Sequence, residues 1–228
     1  MGRMFGTDGV RGIANKELTP ELAFEIGQAG AYVLTGNTGR KPTILVGKDT
    51  RISGDILECA LTAGLCSVGA RVISAGVIPT PAIAYLVRKC GFDAGVMISA
   101  SHNPFEHNGI KFFSGEGYKL KDETENRIES IIIDKAEEVE RAAYGDIGHR
   151  EEDTSLVDEY IKFAMSTTDV RFDGIKIAID CANGSSSVTA RRALEGLGAE
   201  VYVTCDKPDG TNINKDCGST HIENLSEF

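Results

Sequence analysis

Short apolar runs alternate with segments of helical periodicity along most of the chain. The first helical segment is predicted from Thr19, a suitable cap, and Pro20, which suits a first turn; glycines at residues 36–39 end it. The run at residues 43–47 is continuously apolar, which is typical of a strand buried on both faces. Ser53 is then placed to cap a second helix.

The same alternation continues beyond the second helix. It predicts strands at residues 71–74, 95–99 and 109–113, and helices at residues 81–89 and from 122 to about 139. Asp122 and Glu125 form a capping pair for the last of these helices. Strands and helices in strict alternation indicate βαβ units with right-handed crossovers, whose chemistry collects where the strands end.

A change of composition suggests where a first domain ends. Between Asp134 and Asp153 the residues become charged and small, so we expect domains at residues 1–150 and 151–228. The second part repeats the alternation, with helices predicted at 156–165 and 188–197, strands at 175–179 (buried) and 201–203, and a helix beginning at His221. The expected fold is two consecutive α/β domains with mixed, mainly parallel sheets flanked by helices.

Charge and cysteine usage exclude several classes of protein. The 228 residues carry 34 acidic and 24 basic side chains, a net charge of −10, which disfavours nucleic acid or an anionic membrane as partner. No apolar run reaches the ~18–20 residues of a membrane span, and the start lacks the apolar core of a secretory signal. The six cysteines are scattered without a CxxC pair, so we expect neither a zinc site nor a disulfide framework, and a cytoplasmic location.

Polar segments interrupt the scaffold where strands end. Residues 5–12 are glycine-rich and carry Arg11, whose planar fork suits phosphate, although a simple turn is equally compatible. Residues 47–54 follow a buried strand, and there Lys48 and Arg51 could bind an anion while Asp49 caps or lines the loop. Residues 180–187 lack the lysine of a P-loop and favour a turn followed by a helix cap.

The segment at residues 98–111 is the most informative of these. Ser101, His102, Asn103 and Lys111 bring a hydroxyl, an imidazole, an amide and an ammonium to one strand-end loop. A serine in such a place can be a nucleophile or a phosphoryl acceptor, and His102 and Lys111 can supply positive charge and proton transfer. Ser99 is a rival for Ser101. No GxSxG motif is present, which makes a serine hydrolase a weak hypothesis.

Phe5-Gly6-Thr7-Asp8-Gly9-Val10-Arg11-Gly12, together with Ile98-Ser99-Ala100-Ser101-His102-Asn103-Pro104, resembles the α-D-phosphohexomutase superfamily. Gly47-Lys48-Asp49-Thr50-Arg51-Ile52-Ser53-Gly54 and the late run Asn212 to His221 follow in the family's order, so the likeness extends over all 228 residues. The Phe-Gly-Thr-Asp-Gly form of the first motif favours the branch that acts on glucosamine phosphates.

The resemblance implies a phosphoserine at Ser101 that exchanges its phosphoryl group with a sugar phosphate. The reaction would interconvert glucosamine 6-phosphate and glucosamine 1-phosphate through glucosamine 1,6-bisphosphate or a similar sugar bisphosphate, supplying UDP-N-acetylglucosamine and cell-wall synthesis. Arg11 and His102 would neutralise charge, Lys111 would be the acid/base, and the phosphate-binding set would be Arg11, Lys48, Asp49, Arg51 and Asn103. Family members also often pair through the first domain, which implies a homodimer.

The sequence departs from the family in one important respect. The family holds Mg²⁺ with the phosphoserine and an Asp-Gly-Asp-x-Asp-Arg loop, and no such run occurs here; the loops that select the sugar and bind its phosphate are also missing. We therefore expect a truncated chain, an N-terminal portion with negligible mutase activity by itself. A mutase for glucose or mannose phosphates and a phosphosugar-binding module without catalysis remain alternatives.

Overall fold

The computed structural model describes residues 3–35 and 41–228, which form two sheets and the helices that cover them. The strands are β1 (Val10–Ile13), β2 (Thr43–Lys48), β3 (Arg71–Val77), β4 (Ala94–Ile98), β5 (His107–Ser114), β6 (Arg150–Glu152), β7 (Lys176–Asp180) and β8 (Glu200–Thr204). The α-helices are α1 (Pro20–Thr35), α2 (Ser53–Ser67), α3 (Thr80–Cys90), α4 (Asp122–Asp134), α5 (Leu156–Ser166), α6 (Ala190–Gly196) and α7 (Ile222–Glu227).

The first sheet has six strands in the order β1-β5-β4-β2-β3-β6. Its pairs β4–β2, β2–β3 and β3–β6 are parallel, whereas β1–β5 and β5–β4 are antiparallel. The second sheet is the parallel pair β7–β8. The predicted fold, mixed and mainly parallel sheets flanked by helices, is therefore confirmed.

Alternation along the strands of the first sheet builds a core on each of its faces. Ile44 and Val46 of β2, with Phe112 of β5, pack into the apolar cluster that also holds residues of α1, α2 and α4. Leu45 and Met97 point to the opposite face, into the cluster formed with α3 and α5. Since β2 is covered on both faces, the buried strand predicted from the apolar run at residues 43–47 is confirmed, and β4 is covered in the same way.

Two strands of the first sheet were absent from the predictions. The strand β1 falls in the glycine-rich segment, where its Arg11 and Gly12 interrupt the apolar pattern. The strand β6 contains only charged residues, Arg150 to Glu152, and all three are exposed. It pairs with Val72, Ile73 and Ser74 of β3 at the sheet edge, where backbone hydrogen bonds hold a strand without an apolar face. This strand crosses position 150, where the domain division was predicted.

Some of the predicted helix caps and helix ends are wrong. Ser53 and Asp122 lie inside the first turns of α2 and α4 and make no side-chain cap bond, whereas Thr19 does accept from the N–H of Leu22 at 3.2 Å. The helix α4 ends at Asp134 because Lys135 takes a left-handed conformation with φ 51°. The predicted end of α1 at residues 36–39 lies outside the described residues.

The second part of the chain also differs from its predictions. The predicted helix at 188–197 is a 3₁₀ turn, Ser185–Val188, followed by the shorter α6. The strand β7, predicted to be buried, is exposed or half-buried at each of its residues because it has one neighbouring strand and little helical cover. Where the structure is described, no helix has both the length and the apolarity needed to cross a membrane.

Direct contacts join the second sheet and its helices to the first. The rings of Tyr85 in α3 and Phe163 in α5 stack with their centroids 3.8 Å apart. The hydroxyl of Thr50 donates to the carbonyl oxygen of Asn183 at 2.5 Å, and the N–H of Ile52 donates to the carbonyl of Gly210 at 2.9 Å. These contacts bring the loops after β7 and β8 to the strand ends of the first sheet.

Candidate functional site

The loop after β4 presents Ser101 at the surface in a constrained backbone conformation. Ser101 has φ 56°, in the left-handed region that a residue with a Cβ seldom adopts. Its N–H donates to the Oγ of Ser99 at 3.0 Å. Among the described residues, none hydrogen-bonds to the Oγ of Ser101, so this hydroxyl is free while that of Ser99 helps to shape the loop.

A buried arginine holds the carbonyl side of the same loop. The guanidinium of Arg51 donates to the carbonyl oxygens of Ser101 at 3.1 Å and Asn103 at 2.6 Å. Its other terminal nitrogen pairs with the carboxylate of Asp49, and both side chains are almost fully buried. Burial lowers the pKa of Arg51 and the nearby Arg11 adds to this, whereas Asp49 opposes it. Arg51 and Asp49 therefore position the loop.

Strand pairing places two predicted residues, Arg11 and Lys111, on one face of the sheet. Lys111 pairs with Met97 and Arg11 pairs with Gly109, two residues earlier on the same strand as Lys111. Because side chains alternate along strands, Arg11, Lys111 and Met97 share a face. They line a cavity of about 190 Å³ together with Asp8, Thr80, Ser99 and Ser101.

Gly109 is needed for the position of Arg11. A Cβ at this residue would lie 2.9 Å from the Cγ of Arg11 and 2.8 Å from the carbonyl oxygen of Ser99. Only a residue without a side chain lets Arg11 cross β5 this closely to the serine loop. The Nε of Arg11 is buried and lacks a hydrogen-bond partner among the described residues.

The cations of this cavity are held loosely. Asp8 lies between them, 3.4 Å from the Nη2 of Arg11 and 3.5 Å from the Nζ of Lys111, and its side chain is 51% exposed. These distances exceed those of a tight charge-assisted hydrogen bond. Arg11 and Lys111 are therefore available to an incoming anion in a way that the buried Arg51 is not.

The N-terminal segment that carries Asp8 and Arg11 is anchored by a buried carboxylate. Glu129 of α4 accepts the N–H groups of Arg3, Met4 and Phe5 at 2.6–2.9 Å. Burial alone would raise the pKa of Glu129, but these backbone bonds outweigh it and hold the pKa below its ordinary value. The sequence analysis missed Glu129, whose neighbours along α4 give no signal of this contact.

Other predicted residues lie outside this cavity. The ammonium of Lys48 pairs with Asp55 at 2.5 Å and with the buried Glu58 at 2.7 Å, on the α2 side of the sheet. His102 is exposed and lines a different, larger cavity of about 690 Å³ together with several residues of the segment after β8, among them Asn214 and His221. The structure thus brings Ser101, Arg11 and Lys111 together and leaves Lys48 apart.

The segment after β8 supplies a contact that was not predicted. The side-chain amide of Asn214 donates to the carbonyl oxygens of Ser101 at 2.9 Å and Asn103 at 3.0 Å, beside Arg51. Asn214 itself has φ 59°, which an asparagine tolerates better than most residues. A position 113 residues from Ser101 gives no local sequence signal for this contact.

The chain is similar to phosphoglucosamine mutases over its whole length. Over 228 residues the chain is 59% identical to a phosphoglucosamine mutase of Acetivibrio thermocellus and 60% identical to one of Clostridium novyi. It is covered completely in both cases and spans 51% of each relative, so it has about half the length of the curated relatives it matches.

Solved structures share the fold. A phosphoglucomutase/phosphomannomutase family protein of Burkholderia thailandensis superimposes with a TM-score of 0.80 at 25% identity, covering 98% of this chain and 48% of that one. An N-acetylphosphoglucosamine mutase of Aspergillus fumigatus, solved with GlcNAc-6P and magnesium, has a TM-score of 0.50 at 14% identity, covering 99% and 45%. Residues 2–139 match the family described as phosphoglucomutase/phosphomannomutase, alpha/beta/alpha domain I. The chain therefore belongs to the phosphoglucomutase/phosphomannomutase family, and its close curated relatives are phosphoglucosamine mutases.

Proposed function

We propose that this chain is the phosphoserine-bearing part of a phosphoglucosamine mutase, an isomerase that interconverts glucosamine 6-phosphate and glucosamine 1-phosphate. One observation carries the proposal. Ser101, whose hydroxyl is free of hydrogen bonds among the described residues, lines the same cavity as the loosely held cations of Arg11 and Lys111. The identity of about 59% to phosphoglucosamine mutases supports the choice of sugar.

The proposed reaction consists of two phosphoryl transfers. In the first, the bond between phosphorus and the Ser101 oxygen breaks as the 1-hydroxyl of glucosamine 6-phosphate attacks, giving glucosamine 1,6-bisphosphate and free serine. The sugar hydroxyl loses its proton and the serine oxygen gains one. After the bisphosphate turns around, Ser101 attacks the 6-phosphate, so that the phosphoserine is restored and glucosamine 1-phosphate leaves. Such transfers depend mainly on alignment and on neutralising charge.

Residues of the Ser101 cavity match these needs. Arg11 would bind the equatorial phosphate oxygens, displacing Asp8 and giving its buried Nε an acceptor. Lys111 would carry the proton between the sugar hydroxyl and the serine oxygen. His102 and Asn103 directly follow the serine along the chain, and His102 would meet the sugar phosphate from the larger cavity. Asp49 and Arg51 would hold the loop, and Lys48, tied to α2, is left out of the proposal.

The phosphate on Ser101 is the one group of this chain that we propose as a magnesium ligand. Asp8 is the one carboxylate among the described residues that line the cavity, and the carboxylate of the nearby Asp49 is paired with Arg51. The sequence contains no Asp-Gly-Asp-x-Asp-Arg run. The residues present do not by themselves make a magnesium site.

The remaining parts of the proposal concern the activity of the chain by itself, its location and its partners. We infer that the 228-residue chain alone has negligible mutase activity, because the sequence lacks the metal loop and the sugar-selecting loop of the family. The proposed setting is the cytoplasm, with a phosphosugar as ligand and a second copy of the chain as partner through the first sheet and its helices.

A chimaera tests the activity directly. Residues 1–228 are joined to the remaining half of the Acetivibrio thermocellus relative, and formation of glucosamine 1-phosphate from glucosamine 6-phosphate is measured. We expect turnover in the chimaera, loss of at least about a thousandfold in its Ser101→Ala variant, and a much smaller effect of Ser99→Ala. An active Ser101→Ala variant would contradict the proposal, and so would an inactive chimaera with an intact fold.

A further inference from the structure

A second group of reactive side chains lies where β7 and β8 end, outside the Ser101 cavity. Asp180 is the last residue of β7, Cys205 directly follows β8, and Cys217 lies on the segment that returns toward β7. An oxygen of Asp180 and the sulfurs of Cys205 and Cys217 all lie within 4.8 Å of one another. We call these three residues the thiol–carboxylate cluster. The sequence predicted no zinc site, because Cys205 and Cys217 are twelve residues apart and match no metal-binding spacing. The fold of the chain between them brings their sulfurs together.

Hydrogen bonds already hold the groups of this cluster in place. The carboxylate of Asp180 accepts the N–H of Ala182 on one oxygen and that of Gly218 on the other, both at 2.7 Å. The side-chain amide of Asn183 lies 4.0 Å from the Sγ of Cys217, while its oxygen accepts the N–H of Lys207 at 3.1 Å. Contacts of this outer kind orient ligands around metal ions in proteins.

Charge at the cluster also favours a cation. Asp180 makes no ion pair with any residue in the described ranges, and Asp216 adds a second negative charge that acts on Cys217. Cys217 is 1% exposed, whereas Asp180 and Cys205 are half-buried, so the cluster is enclosed on one side and open to water on the other. A half-buried carboxylate and two thiols without a cationic partner form an environment that a divalent ion would neutralise.

We propose that the thiol–carboxylate cluster binds one thiophilic divalent cation of the zinc class, through the sulfurs of Cys205 and Cys217, an oxygen of Asp180 and one water. Zinc lies about 2.3 Å from sulfur and about 2.1 Å from oxygen, which places tetrahedral ligands about 3.5–3.8 Å apart. Atoms within 4.8 Å reach this spacing by moving together by roughly 1 Å. Soft sulfur ligands select against magnesium. Both thiols release their protons to solvent as they coordinate.

The cation fastens a segment that touches the serine loop. Residues 205 and 217 bracket Asn214, whose amide holds the carbonyls of Ser101 and Asn103. Gly210, within the same segment, accepts the N–H of Ile52 at the start of α2. A bound ion thus anchors both contacts between this segment and the first sheet. The proposal stands on the cluster alone and does not depend on the proposed mutase activity.

Cobalt and zinc titrations of the reduced 228-residue chain test the proposal. After treatment with a chelator, we expect one Co²⁺ per chain, with the intense visible bands of tetrahedral cobalt and a sulfur-to-cobalt charge-transfer band, displaced by one equivalent of Zn²⁺. Cys205→Ser and Cys217→Ser should each weaken zinc binding at least about tenfold and abolish the two-thiolate spectrum, and Asp180→Asn should weaken binding less. Cys59→Ser, at an exposed cysteine of α2, is the matched control and should bind as the parent does.

Two results would overturn the proposal. The first is the absence of a stoichiometric tetrahedral cobalt spectrum in the folded, reduced parent chain, a measurement that needs no variant. The second is binding that persists in the Cys205→Ser/Cys217→Ser double variant and disappears in Cys59→Ser, which would place the ion on a surface cysteine. Amide exchange adds a readout, since zinc should slow exchange across residues 205–217 in the parent chain and leave it unchanged in the double variant.

Discussion

The side-chain amide of Asn214 donates a hydrogen bond to the carbonyl oxygen of Ser101 at 2.9 Å, across 113 residues of sequence. Together with Arg51 it satisfies the acceptors of a loop whose central residue has a positive φ. A left-handed serine is held only where its surroundings determine the backbone. The conformation of the serine loop is therefore fixed jointly by the first sheet and by the segment after β8.

Replacing Asn214 tests this joint control. We expect Asn214→Ala to loosen residues 99–104, because two carbonyls lose a donor, at a cost of about 1 kcal/mol in the free energy of unfolding. Hydrogen–deuterium exchange should rise at the serine loop and at residues 210–218. Asn126→Ala, at an exposed position of α4, is the control and should change neither. Unchanged exchange at the serine loop in Asn214→Ala would contradict the joint role.

Removing Arg51 should be far more damaging than removing a surface arginine. Arg51→Ala leaves the buried carboxylate of Asp49 unpaired and strips the serine loop of two bonds, so we expect a loss of about 3–5 kcal/mol in the free energy of unfolding. Denaturant unfolding measures this loss. Arg88→Ala on the exposed end of α3 should cost less than about 0.5 kcal/mol. Equal losses in the two variants would argue against a buried positioning role for Arg51.

Gly109 offers a test of the Arg11 position without touching Arg11. A methyl group at Gly109 would push against Arg11 and the backbone of Ser99, so Gly109→Ala should weaken binding of a phosphosugar at the Ser101 cavity at least about tenfold. Binding of glucosamine 6-phosphate by calorimetry is the measurement. Gly145→Ala, where a Cβ would meet nothing within 4 Å, should bind as the parent does. Unaltered binding in Gly109→Ala would show that Arg11 does not contact the ligand.

Acid should remove the contribution of Glu129 to stability. The pKa of Glu129 is lower in the folded chain than in the unfolded one, so the carboxylate stabilises the fold above its unfolded pKa. That stabilisation decreases as pH falls through the folded pKa. We therefore expect Glu129→Gln to be less stable than the parent at pH 7, with the difference shrinking below about pH 4.5. Glu116→Gln, at an exposed residue, should show no such pH-dependent difference. A difference that is constant from pH 7 to pH 3 would contradict this role of Glu129.

Sequence periodicity predicted the helices and strands that bury apolar side chains. It did not predict the elements that are held by backbone hydrogen bonds or that consist of charged residues. The continuous apolar run at residues 43–47 predicted a strand covered on both faces, and β2 confirms it. The strand β6 has no apolar side chain, and only its pairing with β3 makes it a strand. A similar apolar run over β7 predicted a buried strand. Because β7 has a single neighbouring strand, its residues are exposed or half-buried instead.

Site prediction shows the same division. The sequence singled out Ser101, Arg11 and Lys111, and the structure places them around one cavity because alternation puts Arg11 and Lys111 on one face of the sheet. Lys48 has the same local pattern, but alternation sends its side chain to the opposite face, toward Glu58. Glu129 and Asn214 act through contacts between distant segments, which periodicity does not record.

Locating the phosphoryl group in the protein isolated from its native cells tests the central claim most directly. Intact mass would give the number of phosphoryl groups per chain, and peptide mapping would assign the residue. The account predicts a single phosphoryl group on Ser101 and none on Ser99, whose hydroxyl is occupied in shaping the loop. Phosphate on Ser99 or elsewhere with Ser101 unmodified, or no phosphate in protein that turns over glucosamine 6-phosphate, would contradict the account.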